Sequence, residues 1–192
     1  LLARAFMSVS FSIQMTTWVL PMGFGADAIT TATPLSESFV WQADKIPLYQ
    51  AMFLGNTAGS IGETSALFIL IGGGFLLARG IINWRIPAIY IGTVALMALG
   101  FGEDPLFHIL AGGLMLGAFF MATDYVTSPL TNRGKIVFSV ALGILTMLIR
   151  RFSSIPEGVC YSILFMNAIT PLIDRFIKVR PYGLVKRVES AA

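Results

Sequence analysis

Three stretches of this sequence, residues 5–26, 86–102 and 105–123, contain no Asp, Glu, Lys or Arg. A helix crossing a bilayer needs about 20 mainly apolar residues, because the hydrocarbon offers no water to satisfy backbone N–H and C=O groups. All three stretches meet or approach that length. Residues 64–78 and 136–149 reach it if Arg79, Lys135 and Arg150 extend their charged ends to the interface. Residues 158–173 are of the same kind. A helix buried in a soluble core would carry a polar face, and none of these segments has one. Composition agrees: 12% of residues are charged, where soluble domains carry about 25%. The expected fold is an all-α, polytopic integral membrane bundle with broken and re-entrant helices. It forms a single membrane domain over residues 1–192, with about six spans near 5–21, 64–81, 86–102, 105–123, 136–150 and 158–174.

The net charge of +3 does not mark a nucleic-acid binder, because the basic residues sort by membrane side. With a cytoplasmic N-terminus, ten of the 13 Lys and Arg residues fall inside, and only Lys45, Arg150 and Arg151 fall outside. The Arg150-Arg151 pair breaks the bias and is left to a partner or an anionic group. The one cysteine, Cys160, excludes a disulfide framework, and the one histidine, His108, excludes a His-rich metal site. No leader with a cleavage site is recognisable, and the Leu1-Leu2-Ala3-Arg4 opening is that expected of a fragment.

Polar interruptions concentrate the functional candidates. Residues 21–47 are too long for an ordinary tight connection and fall on the extracytoplasmic side. Residues 55–65 follow an apolar piece, 48–54, too short to span, so a re-entrant half-helix is expected there. Residues 123–131 end the fourth span.

The 21–47 loop contains Asp27-Ala28-Ile29-Thr30-Thr31-Ala32-Thr33-Pro34-Leu35. This string resembles the flavinylation motif of the Rnf D / Nqr B family of membrane redox proteins, Asp-x-x-Ser/Thr-Gly-Ala-Thr. Thr33 matches the hydroxyl acceptor, Ala32 the small residue before it, Thr30 the Ser/Thr and Asp27 the leading acid. Thr31 stands where the strict motif has Gly. The resemblance extends to the glycine-rich break Gly59-Ser60-Ile61-Gly62-Glu63-Thr64-Ser65, to Ala122-Thr123-Asp124, and to Asn167-Ala168-Ile169-Thr170-Pro171-Leu172-Ile173-Asp174.

The resemblance implies a channel-like fold of two five-helix repeats, of which this chain holds the second and the tail of the first. It implies FMN held on Thr33 by a phosphoester, installed by a flavin transferase, with a second, non-covalent flavin such as riboflavin in the bundle. It further implies membership of an enzyme complex in the bacterial inner membrane that couples ferredoxin:NAD electron transfer to Na⁺ or H⁺ translocation. Partners would be the other Rnf subunits, one of them also flavinylated, and membrane lipid. A cofactor so tethered does the electron chemistry while the protein sets its position and potential. Three alternatives stay open: a quinone-reducing protein of the Nqr B type, a channel or transporter, and a scaffold without cofactor.

Other residues read two ways. Glu63 either caps the helix starting near Thr64 or contacts flavin or a translocated ion. Asp124 is a turn residue or a lining residue of an ion path. Trp41 and Tyr49 either stack on an isoalloxazine or anchor at the interface. Asn56, Thr57 and Ser60 either bind a flavin edge or satisfy the broken backbone. His108 is read as a structural hydrogen-bonding residue ahead of a proton or redox group, and Cys160 as core. The Gly runs at 72–74 and 112–113 are read as close helix packing.

Overall fold

The structure, a computed structural model, describes residues 1–15, 18–19, 30–31, 45–57, 59–60, 62–153 and 158–177. Its helices are α1 (Leu2–Ser10), α2 (Ser12–Met15), α3 (Lys45–Leu54), α4 (Ala66–Ala78), α5 (Arg85–Gly100) and α6 (Pro105–Leu110). They continue with α7 (Leu114–Leu116), which runs directly into a π-helical turn (Gly117–Met121), then α8 (Asn132–Phe152) and α9 (Gly158–Phe176). The described strands are two short pieces, β1 (Trp18–Val19) and β2 (Thr30–Thr31), paired antiparallel with Val19 opposite Thr30.

Helix α8 organises the core. Thr131 caps it by accepting the Gly134 N–H at 2.9 Å, and Arg150 and Arg151 occupy its last turn, where cations suit the negative end of the helix dipole. Its buried residues Gly134, Phe138, Leu142 and Thr146 recur every four positions, a single stripe facing α5 and α9. Gly143 sets the α5–α8 distance, since a Cβ there would stand 2.5 Å from the Cβ of Thr93. The expected packing role of Gly73 is met in the same way, with Phe119 Cδ1 2.6 Å from where a Cβ would sit.

At the centre of α5, α8 and α9 runs a polar seam. The Tyr90 hydroxyl lies 2.7 Å from Thr146 Oγ1, which lies 2.8 Å from Ser162 Oγ. Each of these buried groups is satisfied, as a low-dielectric interior requires. Outward faces are apolar instead: on α4, Phe68, Ile71 and Phe75 are 70%, 62% and 61% exposed.

The helical reading of the sequence is met, broken helices included, and the expected span over residues 105–123 is divided. Among the described residues, no helix is long and apolar enough to cross a membrane by itself. The physical reasons are local. Residues 105–123 divide because Ala111 is extended and Gly112 takes a positive φ of 65°, a conformation that ends a right-handed helix and favours glycine. Glycines 112 and 113 thus make a break and are not simply a packing notch. The first helix stops at Ser10, and α4 has 13 residues.

Candidate functional site

The break between α6 and α7 leaves carbonyls of α6 without intrahelical partners, and the rest of the chain answers that deficit. Arg150, reaching in from the end of α8, donates from Nη1 to the His108 carbonyl at 2.7 Å and from Nη2 to the Ala111 carbonyl at 3.0 Å. This resolves the Arg150-Arg151 exception to charge sorting: Arg150 is an internal cap for a broken helix. Its neighbour Arg151 donates to Glu103 Oε1 at 3.0 Å, and Glu103 Oε2 meets His108 Nε2 at 2.7 Å. His108 is buried, as expected for a structural residue, although its Nδ1 and the Nε of Arg150 are buried without hydrogen-bond partners.

On the other side of the break lies Glu63. It does not cap α4: Ser65 holds that position, its Oγ accepting from Phe68 N at 3.5 Å. The Glu63 carboxylate turns inward, 11% exposed, and accepts from Arg4 Nη1 at 2.5 Å. A Cβ on Gly113 would stand 2.8 Å from Glu63 Cδ and 2.9 Å from Oε1. Only glycine lets the backbone at the helix break come so near a carboxylate, and Arg150 also feels its charge. Two segments far apart in sequence, the 55–65 break and the 111–113 break, therefore meet at one half-buried carboxylate paired with Arg4.

Asp124 behaves differently. It is exposed, and its carboxylate folds back on its own turn, accepting from Thr127 Oγ1 at 3.1 Å and Val126 N at 3.5 Å. The structure gives it the turn reading. Asn56 is exposed, with its N–H donating to the Ala51 carbonyl at 2.7 Å, and Ser60 is half-buried, its carbonyl accepting from Glu63 N at 3.0 Å. Both help close the irregular connection between α3 and α4. The Tyr49 hydroxyl donates to Asp104, and that bond pushes the Tyr49 pKa up to about 12. Asp104 in turn caps α6 by accepting from Leu106 N at 3.1 Å.

Asp27, Ala32, Thr33 and Trp41 lie outside the described residues. Of the motif, Thr30 and Thr31 form β2, paired with β1.

Residues missed by sequence reasoning are Arg4 and Glu103, while Gly113 was read as a packing residue without its neighbour Glu63. Arg150 was visible only as an anomaly. Charge on the wrong side, beside a Gly-Gly pair inside an apolar run, was the available signal.

The family profile described as NQR2, RnfD, RnfE matches residues 1–183. The chain belongs to this family. Within the NQR2, RnfD, RnfE family it is 48% identical over 200 residues to the D subunit of a proton-translocating ferredoxin:NAD(+) oxidoreductase complex of Clostridium ljungdahlii. That alignment covers 95% of this chain and 60% of the relative. It is 49% identical over 189 residues to the D subunit of the Na(+)-translocating counterpart of Acetobacterium woodii, covering 97% and 58%. It is 40% identical over 219 residues to the D subunit of an ion-translocating oxidoreductase complex of Stutzerimonas stutzeri, covering 95% and 62%. The chain thus spans about 60% of the length of these family members.

Proposed function

We propose that this chain belongs to an RnfD-type protein that carries FMN on Thr33 and passes electrons within a ferredoxin:NAD oxidoreductase complex driving Na⁺ or H⁺ translocation. The observation that carries the reading is the Asp27-to-Thr33 flavinylation string in a chain that aligns over nearly its whole length with the D subunits of such complexes. Those names favour the Rnf reading over the Nqr one. A cofactorless channel has no use for a flavin tether.

The Thr33 hydroxyl is the phosphate acceptor. Small Ala32 gives a transferase access to the backbone, and Asp27 and Thr30 supply the rest of the recognition string. FMN held there would supply one- and two-electron chemistry, with a second flavinylated protein of the complex as its exchange partner. Trp41, Asn56 and Ser60 remain candidates for flavin contact, and a second, non-covalent flavin such as riboflavin belongs near the 55–65 break.

The membrane reading is supported by the apolar outer surface of the helices, with Phe68, Ile71 and Phe75 exposed on α4. It places the protein in the bacterial inner membrane with the Thr33 loop on the extracytoplasmic side. Of the two ion-path candidates, Glu63 is favoured over Asp124, because a half-buried carboxylate at two meeting helix breaks is where freed backbone dipoles can serve an ion.

The test is ferredoxin-dependent NAD reduction by inverted membrane vesicles holding the full complex, with ion uptake read in parallel. Thr33→Ala is expected to lower both more than about tenfold, the loss of a carrier that positions a redox centre. Unchanged coupled activity would remove Thr33 from the electron path.

A further inference from the structure

At the end of the bundle opposite the Arg150 network, the α4–α5 turn, the start of α5 and the start of α8 enclose an open cleft of about 540 Å³. Its lining brings together Asn83, Trp84, Arg85, Tyr125 and Lys135, two cations with no carboxylate among the lining residues. Arg85 Nη1 donates to Asn132 Oδ1 at 2.9 Å, a bond that ties the first turn of α5 to the first turn of α8. Both helix N-termini therefore open onto the same end, and their dipoles add to the two side-chain charges. Among the described residues, no carboxylate lies within ion-pair distance of Arg85 or Lys135. Asp124, next to Tyr125, is occupied within its own turn.

The cleft is bordered by aromatic and apolar surface. Trp84 is 62% exposed and Tyr125 73%, while Val126 and Leu130 nearby in sequence are 88% and 72% exposed. The Tyr125 hydroxyl donates to the Ile81 carbonyl, so its ring is held at the mouth. A cationic recess flanked by Trp, Tyr and bare aliphatic side chains combines the two chemistries of a phospholipid: a phosphate monoanion beside acyl chain.

We propose that this cleft is a binding site for a phosphate-bearing anionic group, supplied by an anionic phospholipid of the cytoplasmic leaflet. Arg85 and Lys135 hold the phosphate, Asn83 offers a neutral hydrogen-bonding group, and Trp84 and Tyr125 sit at the glycerol level. The proposal rests on the membrane reading above, and it adds a lipid site that the redox role does not require.

The test uses the purified full complex, delipidated in neutral detergent. Binding of phosphatidylglycerol is measured against phosphatidylcholine by native mass spectrometry, with inorganic phosphate as a competitor. Expected is a preference for phosphatidylglycerol that weakens about fivefold for each charge removed in Lys135→Gln and Arg85→Gln. Lys135→Gln is the variant to trust for folding, because its ammonium makes no hydrogen bond or ion pair among the described residues. Competition by inorganic phosphate at comparable strength would keep the site and reassign the source to free phosphate. Equal binding of both lipids, or variants that bind like the wild type, would overturn the site. Resistance of the protein to carbonate extraction, read alongside, separates that failure from failure of the membrane reading itself.

Discussion

Glu63 and Asp124 look alike in the sequence: each is a carboxylate at a polar interruption of an apolar segment, flanked by Thr or Ser. In the folded chain they part. Glu63 is drawn inward, paired with Arg4 at 2.5 Å and seated against Gly113, whereas Asp124 stays exposed and binds Thr127 of its own turn. What separates them is the partner each meets from elsewhere in the chain. Glu63 faces a second helix break that arrives from some 50 residues away in sequence (Gly113 against Glu63). Asp124 meets only its immediate neighbours, so water and local hydrogen bonds satisfy it.

The comparison can be broken most severely at Arg150. Replacing it with Met would leave the His108 and Ala111 carbonyls unpaired beside the break, at a cost of about 3 kcal/mol. The expected readout is a lower melting temperature of the purified complex, and an unchanged one would mean that the break closes on water instead. Gly113→Ala comes next: its Cβ would press on the Glu63 carboxylate, costing about 1–3 kcal/mol in stability and disturbing ion uptake with it.

Glu63→Gln sharpens the contrast. It is expected to remove the Arg4–Glu63 ion pair, destabilise by about 1–2 kcal/mol, and cut ion uptake more than electron transfer. A double-mutant cycle with Arg4→Gln should return a coupling of about 1 kcal/mol. Additive effects would show that the pair is incidental. The smallest effect belongs to Asp124→Asn, within about 0.5 kcal/mol of wild type in stability and close to it in ion uptake. A transport loss equal to that of Glu63→Gln would erase the distinction between the two carboxylates.

Much of this architecture is legible in the sequence, because apolar length and charge spacing are local properties. Helices α5, α8 and α9 fall close to the expected 86–102, 136–150 and 158–174. The short helix α3 before the 55–65 break was visible as an apolar piece too short to span. Hidden were the features that depend on distant partners. A Gly-Gly pair reads equally as a packing notch or a helix break, and Gly112 chooses the second by its backbone angle. Arg150 reads as a misplaced charge until the carbonyls it caps are seen. Glu63 reads as a cap until Ser65 takes that place and Arg4 claims the carboxylate. The proposed flavin motif, by contrast, rests on a short string of residue types around one hydroxyl, which sequence alone can display.

The most direct test of the account is in-gel flavin fluorescence of the denatured full-length protein, co-expressed with a flavin transferase, beside Thr33→Ala. The account predicts a fluorescent band in the wild type that is absent from the variant, which places covalent FMN at Thr33. A dark band in both, with the transferase active on a control substrate, would contradict it and leave the chain as a family member without the tethered flavin.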